Sequence, residues 1–373
     1  MKWVFWFAIA VIAYTYFGYA AWLWLRSRRH PQPVRLGPLT PAVTIVMVVR
    51  NEEQVVARKL ENLLNLDYPS VNLQVIVVSD GSSDRTDAIL RENGHNPRVS
   101  IVLKQLAQGK ASGLNDALEL AAGEVIVFTD ARQLLQTDSV RLLMENFADP
   151  EVGCVSGELM LGDPESGVCS NGLGLYWSIE KKIREWEAAS GSVVGATGAF
   201  YAARKSLLAA LPPETILDDV YVPLAIIRNG SRVVFDVRAR AWDSEDLSCE
   251  REFARKVRTL TGNYQLLQLA PWLLTAKNPV RFEFVSHKLL RLLMPFALVL
   301  VLLGSMILPG PVYRAALFLQ LCFYGLGLLT LTRLKKGLLA KLANAAYTFV
   351  FLNTAAMVAF VNFATGRKAV WGR

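Results

Sequence analysis

Three apolar runs in this sequence end on acidic or amide side chains. Val43–Val49 (VTIVMVV) leads into Asn51 and Glu52, Leu73–Val78 (LQVIVV) into Asp80, and Glu124–Thr129 (EVIVFT) into Asp130. Continuous runs rich in β-branched residues read as strands buried on both faces. Open α/β sheets bind their ligands at the carboxyl ends of such strands. A solvated rim accounts for one acidic strand end, but three at one edge point to a site. Neither a P-loop nor a G-x-G-x-x-G segment is present, so the usual phosphate cradles are excluded. Further along, Asp218 and Asp219 open an apolar stretch, Val220–Ile227, that reads as a helix. An acidic residue there caps the helix or serves as a general base, and spacing alone leaves both readings open.

The elements that must carry these residues alternate. Helices are expected over Glu52–Leu66, over Asp84–Glu92 (capped by Ser83 or Asp84) and over Ala111–Ala122. Strands are expected over Val43–Val49, Leu73–Asp80, Val99–Lys104 and Glu124–Asp130. Strands and helices in this order predict a parallel α/β sheet. The rest of the chain is greasier: 53% of its 373 residues are hydrophobic and 19% charged. Trp3–Leu25, Leu292–Tyr313, Ala315–Thr332 and Leu342–Gly366 carry no charge, and a membrane-spanning helix needs about 20 such residues. The first stretch is too long and too rich in Trp and Tyr for a signal peptide. The expected organisation is a first span with its basic flank (1–33), a globular domain (34–249), a basic interfacial segment (250–288) and about three further spans with a short tail (289–373).

By the positive-inside rule, Arg26, Arg28, Arg29 and Arg35 after the first span, Lys288 and Arg291 before the second, and Arg333, Lys335, Lys336 and Lys341 after the third predict a cytoplasmic globular domain. The basic tail (Arg367, Lys368, Arg373) falls on the opposite side by that count. The net charge of +8 gathers near membrane ends, so anionic lipid is the expected partner and nucleic acid is not. Cys154, Cys169, Cys249 and Cys322 show no metal-type spacing; Cys322 lies within a span, and the other three are expected to be reduced in that compartment.

The order of motifs resembles the membrane-embedded family 2 glycosyltransferases, the branch that includes cellulose, chitin, hyaluronan and poly-N-acetylglucosamine synthases and ceramide glucosyltransferase. The resemblance covers nearly the whole chain: one span, then a domain, then a cluster of spans. It implies a Rossmann-like GT-A domain inserted between transmembrane helices. It places Asn51, Glu52 and Asp80 on the base and ribose of a nucleotide. Lys110, in QGKASGLNDAL, falls near the nucleotide and diphosphate. FTDAR stands where the family has its DxD motif, making Asp130 the nucleotide-side and metal-binding acid. GATGAFYAARKSLL, with Gly198, matches the acceptor-side segment, and ILDDVY makes Asp219 the catalytic base with Asp218 beside it. REFARKVRT falls at the (Q/R)xxRW motif, with Arg255 and Arg258 facing the diphosphate or acceptor.

These residue types suit an inverting transfer from a nucleotide sugar, expected to be a UDP-sugar. A carboxylate takes the proton of the attacking hydroxyl, and a metal ion with cationic side chains offsets charge on the leaving diphosphate. Arg255 and Arg258 suit phosphate or an amphipathic helix on the membrane surface. The chain departs from the family twice. The second DxD acid is Arg132, which leaves one carboxylate for Mg²⁺ or Mn²⁺ unless Arg132 replaces part of the metal's charge. The motif Trp is Thr259, with Tyr176, Trp177 and Trp186 as other sugar-stacking candidates. The expected acceptor is a growing polysaccharide extruded through a narrow path lined by Tyr14, Tyr16, Asn353 and their neighbours, formed in one protomer or completed by a second copy. A membrane lipid receiving one sugar is the alternative, an inactive nucleotide-binding subunit a lesser one, and a transporter the last.

Overall fold

A computed structural model describes residues 1–162, 174–243, 249–332 and 337–367. Its globular part is built on one eight-stranded sheet. In chain order the strands are β1 (Val43–Val49), β2 (Leu73–Asp80), β3 (Val99–Lys104), β4 (Val125–Thr129), β5 (Leu134–Leu135), β6 (Val152–Leu161), β7 (Phe200–Arg204) and β8 (Arg232–Asp243). Their spatial order is β3-β2-β1-β4-β7-β6-β8-β5. Every residue of β1 is buried. Ile45, Met47 and Val49 face one core with Leu60 and Leu63, while Val46 and Val48 face the other with Leu114 and Ala117. Each such side chain contributes on the order of 1.5–3 kcal/mol by leaving water, which is why this strand is apolar throughout.

The expected parallel pairing holds from β3 to β4. Beyond that the sheet is mixed, because β7 runs antiparallel to β4 with Thr129 opposite Phe200. The helix Gly174–Ala189 ends near Arg232 and Val233, and the segment 190–199 carries the chain to the carboxyl end of β4, so β7 starts there and runs the other way. The helices are shorter than their sequence patterns suggest, at Val56–Leu64, Thr86–Asn93 and Lys110–Leu120. Asp84 stands two residues ahead of Thr86 and still accepts its N–H at 2.9 Å.

Among the described residues four helices are long and apolar enough to cross a membrane: Lys2–Arg29, Arg281–Ile307, Pro311–Leu328 and Leu338–Ala364. The first and second pack at Gly304, where a β-carbon would come within 2.9 Å of the Phe5 ring. Polar groups in these helices mostly bond to one another. Tyr14 Oη lies 2.8 Å from Ser286 Oγ, Asn353 donates to Tyr16 Oη at 3.3 Å, and Gln320 donates to the Leu298 carbonyl at 3.1 Å. Hydrogen bonds of this kind hold membrane helices together. The helix Cys249–Leu269 lies against the last span through Tyr264 and Phe363, stacked at 5.3 Å. Its Gly262 packs on Leu217, the residue before Asp218.

Candidate active site

Strand order reverses between β1 and β4: β2 and β3 lie on one side of β1, and the chain then crosses to the other. That reversal opens a crevice at the carboxyl ends of the two strands. Glu52 stands at one lip and Arg132 at the other, with Arg132 Nε 3.1 and 3.2 Å from the two Glu52 carboxylate oxygens. The residue in place of the second DxD acid thus pairs with the carboxylate after β1.

Deeper in the crevice one lysine gathers the acids. Lys110, the first residue of its helix, places Nζ 3.0 Å from Asp130 and 3.3 Å from Asp218. Burial works against its charge, but Asp130, Asp218 and Asp219 together hold it above the usual lysine range. Asp218 and Asp219 form the first turn of the helix Asp218–Arg228. Asp218 is buried, and its second oxygen takes a 3.5 Å bond from Tyr201. Tyr201 is itself fixed by stacking on Phe128 at 4.5 Å. The Asp219 carboxyl is pushed up to about 6, first by burial and next by the Asp218 charge, with Lys110 and Lys288 pulling the other way. A base with its pKa near the working pH is well suited to take a hydroxyl proton.

Gly198 leaves room for this carboxylate. A β-carbon there would fall 2.8 Å from Asp219 Oδ2, closer than such contacts allow. The backbone N–H of Ala196 holds the Asp219 carbonyl at 2.7 Å, so the loop cannot simply back away. Gly198→Ala is therefore expected to lower turnover by roughly tenfold or more, in line with the large cost of small misplacements of catalytic groups. Single-turnover kinetics check this, and an unchanged rate would show that the Asp219 carboxylate needs no such approach.

The other expected site residues lie around this cluster. Asp80 is fully buried and accepts the N–H groups of Gln108 and Gly109, both at 2.8 Å. Next to it Gly81 has φ +63°, and a side chain there would strike the Ala107 backbone at 2.5 Å. The Asp-Gly turn thus fixes the loop that delivers Lys110. Asn51, at φ +55°, accepts the Ser83 N–H at 2.8 Å and ties the first two strand-end loops together. Arg255 pairs with Glu252 on its own helix at 2.6 Å. Among the described residues neither it nor Arg258 touches Asp219 or Lys110. Thr259 donates to the Arg255 carbonyl at 3.0 Å. The side chains of Tyr176 and Trp177, and Cys169, lie outside the described residues.

The sequence reading passed over Lys59. It is completely buried, donates to Thr129 Oγ1 at 2.9 Å, and is pushed down to about 7 by desolvation, against the pull of Asp130. Its position was a signal, since Val56, Lys59, Leu60 and Leu63 share the buried face of one amphipathic helix.

Whether a divalent ion fits depends on Asp130. Its side chain is 42% exposed, and Lys110 bonds only one of its oxygens. Among the described residues no three carboxylate, imidazole or thiolate groups converge as a metal cage. The arrangement suits Mg²⁺ or Mn²⁺ arriving with a diphosphate, because those ions keep waters and substrate oxygens in their shell.

Residues 44–211 match the model of Glycosyl transferase family 2. The chain is 30% identical to Beta-monoglucosyldiacylglycerol synthase of Trichormus variabilis over 198 residues, 52% of this chain and 42% of that protein. It is 24% identical to Poly-beta-1,6-N-acetyl-D-glucosamine synthase of Staphylococcus epidermidis over 234 residues, 62% and 56% of the two chains. The chain thus spans about half the length of the curated relatives it matches. The structure of the mannosyltransferase PcManGT from Pyrobaculum calidifontis, in complex with GDP-Man and Mn²⁺, superposes with a TM-score of 0.74 over 98% of this chain and 99% of that one, at 22% identity. That likeness shows a shared fold, a GT-A-like mixed sheet with helices, here accompanied by four candidate membrane helices.

Proposed function

We propose, from the premise that the chain carries a Glycosyl transferase family 2 domain, that it is a membrane-bound inverting glycosyltransferase acting at the cytoplasmic face. It moves a sugar from a nucleotide donor, a UDP-sugar by preference, to an acceptor presented beside the membrane. The observation that carries this reading is the Lys110 bridge between Asp130 and Asp218, with Asp219 as the next residue. It sets a donor-side acid and an acceptor-side base in one cluster.

Asp219 takes the proton as the acceptor oxygen attacks the anomeric carbon. The new carbon–oxygen bond forms as the bond to the nucleoside diphosphate breaks, and the electron pair leaves with the diphosphate. Lys110 meets the charge growing on that leaving group. Asp130 would hold a divalent ion, which when bound supplies further positive charge to the diphosphate. Glu52 and Arg132 close the nucleotide end of the crevice, with Asn51 and Asp80 holding its loops.

The sequence ranks polysaccharide extrusion ahead of single transfer to a lipid. The hydrogen bonds of Tyr14, Tyr16, Gln320 and Asn353 within the helix bundle favour the reverse order, since a sugar chain crossing hydrocarbon needs free polar groups along its path. A lipid acceptor is therefore the reading adopted. The test is to supply the purified chain, in lipid vesicles, with labelled nucleotide sugars and separate solvent-extractable product from polymer. Label in the lipid phase supports the reading. Polymer protected inside the vesicles would reinstate extrusion, and no incorporation from any donor would overturn glycosyl transfer.

Chelation is expected to remove at least nine-tenths of the activity, with recovery on adding Mg²⁺ or Mn²⁺. Asp130 and Lys110 alone do not supply the charge that a diphosphate leaving group requires. Full activity after exhaustive chelation would show that the chain's own cations suffice.

A further inference from the structure

The second membrane helix, Arg281–Ile307, enters the globular domain through a π-helical turn at Val285–Leu289. Such turns occur often at functional sites. This one carries His287 and Lys288 side by side, and the two are used differently. His287 is buried, with Nδ1 2.7 Å from Glu187 and Nε2 3.1 Å from Glu180. Tyr19 of the first membrane helix donates to the same Glu187 oxygen at 2.7 Å. Arg291 donates to the remaining oxygen of Glu180, and the Val194 N–H reaches that of Glu187 at 3.4 Å. Both carboxylates are therefore fully engaged.

Two cations next to this clamp are not. Among the described residues Lys288 makes no hydrogen bond or ion pair, and the Arg184 side chain bonds only the hydroxyl of Thr197, at 2.6 Å. Both are partly exposed. Arg184 reaches this segment at Thr197 and Lys288 at Gly195, and the same segment, Val194–Gly198, backs the Asp219 carboxylate. A β-carbon at Gly195 would stand 3.7 Å from Lys288 Nζ and 3.6 Å from the Asp219 carbonyl oxygen, which puts the amine close to the Asp219 backbone. Lys288 is near enough to lower the Asp219 pKa, and Arg184 is near enough to repel Lys288. Glu180, Glu187 and Asp219 attract Lys288, but among the described residues none of them bonds it, so its N–H donors and the rest of the Arg184 fork are open to an anion. Arginine and lysine together suit phosphate, the one by its planar fork and the other as a point charge. Their place at the entry of a membrane helix selects a ligand whose other end is apolar.

We propose that Arg184 and Lys288 form a subsite for the phosphate of a membrane amphiphile, the acceptor whose hydroxyl is presented to Asp219. This deepens the transferase reading and rests on it for the word acceptor, but the anion site is testable by itself. The experiment uses the full chain in phosphatidylcholine nanodiscs, with no nucleotide sugar present. The probe is dioctanoyl phosphatidate, compared with dioctanoylglycerol and with inorganic phosphate. Saturable binding of the phosphatidate alone is expected. It should weaken at least about tenfold in Lys288→Gln and in Arg184→Gln, as when one side of a charged contact is truncated, and be largely restored in Lys288→Arg. A melting curve for each variant confirms folding, and a variant that does not fold is replaced by Lys288→Met or Arg184→Met.

Phosphatidate binding that ignores both substitutions, or that dioctanoylglycerol equals, would overturn the proposal. Inorganic phosphate binding as tightly as the lipid would assign the site to a soluble anion and overturn the amphiphile. Because no donor is in the assay, its failure leaves glycosyl transfer standing. Phosphatidate has no free hydroxyl and reports the anion site alone, so failure of the vesicle transfer assay would refute the transferase reading and leave this subsite standing.

Discussion

Asp219→Asn is expected to cut sugar transfer by ~10²–10⁴-fold, the usual cost of losing a positioned general base, with nucleoside diphosphate affinity nearly unchanged. The amide is isosteric and fits beside Gly198, so the loop keeps its place, but it cannot take the acceptor proton. Lys110 keeps its contacts to Asp130 and Asp218, so the donor side stays charged as before. Turnover and nucleotide affinity measured on one preparation separate the two effects. Turnover at the wild-type rate would remove Asp219 from the mechanism. The wild-type pH profile carries the same information. The base works as a carboxylate, and burial holds its pKa at about 6. The rate is therefore expected to fall as the pH drops through about 6 and to level off above it. That acidic limb should be missing from the residual activity of the Asn variant.

Lys110→Met is expected to fail differently, losing both activity and stability. The lysine is the shared counter-charge of three acids, and the Asp218 side chain is only 5% exposed. Removing one partner from a buried ion pair costs about 3–5 kcal/mol. The exposed Asp130 adds little to that, because water screens it, so the lower end of the range is expected. Without the ammonium, charge on the departing diphosphate is less well met, and a rate loss of roughly 10²-fold or more follows. The acidic limb of the pH profile should also move to higher pH, since Asp218 and Asp130 then act on Asp219 with less opposition. Nucleotide affinity should drop in this variant and hold in Asp219→Asn. Equal affinity in both would place Lys110 away from the donor.

The sequence by itself settled the frame. Four charge-free stretches stand out as candidate spans, because a helix needs about 20 apolar residues to cross a bilayer. β1, β2 and β4 were legible as buried strands, since only strands covered on both faces are apolar at every position. Asp80 and Asp130 stood out because each ends such a run. What each acid touches was not legible. Asp80 anchors the Gln108–Gly109 loop, and Arg132 pairs with Glu52 across a crevice created by the reversal of strand order. Both are contacts between residues far apart in the chain. The antiparallel β7 was missed for a related reason: nothing local in Phe200–Arg204 states which strand it will pair with. That pairing brings Gly198 to the edge where Asp130 lies, and so brings donor side and base together. Lys288 reads in sequence as one more basic residue flanking a span. Only the π-helical turn and the capture of Glu180 and Glu187 by His287 bring its amine near Asp219 with its hydrogen-bond donors unused among the described residues. Burial and periodicity are local properties and can be read along a chain, whereas a charge acquires its role from whichever opposite charge the fold places beside it.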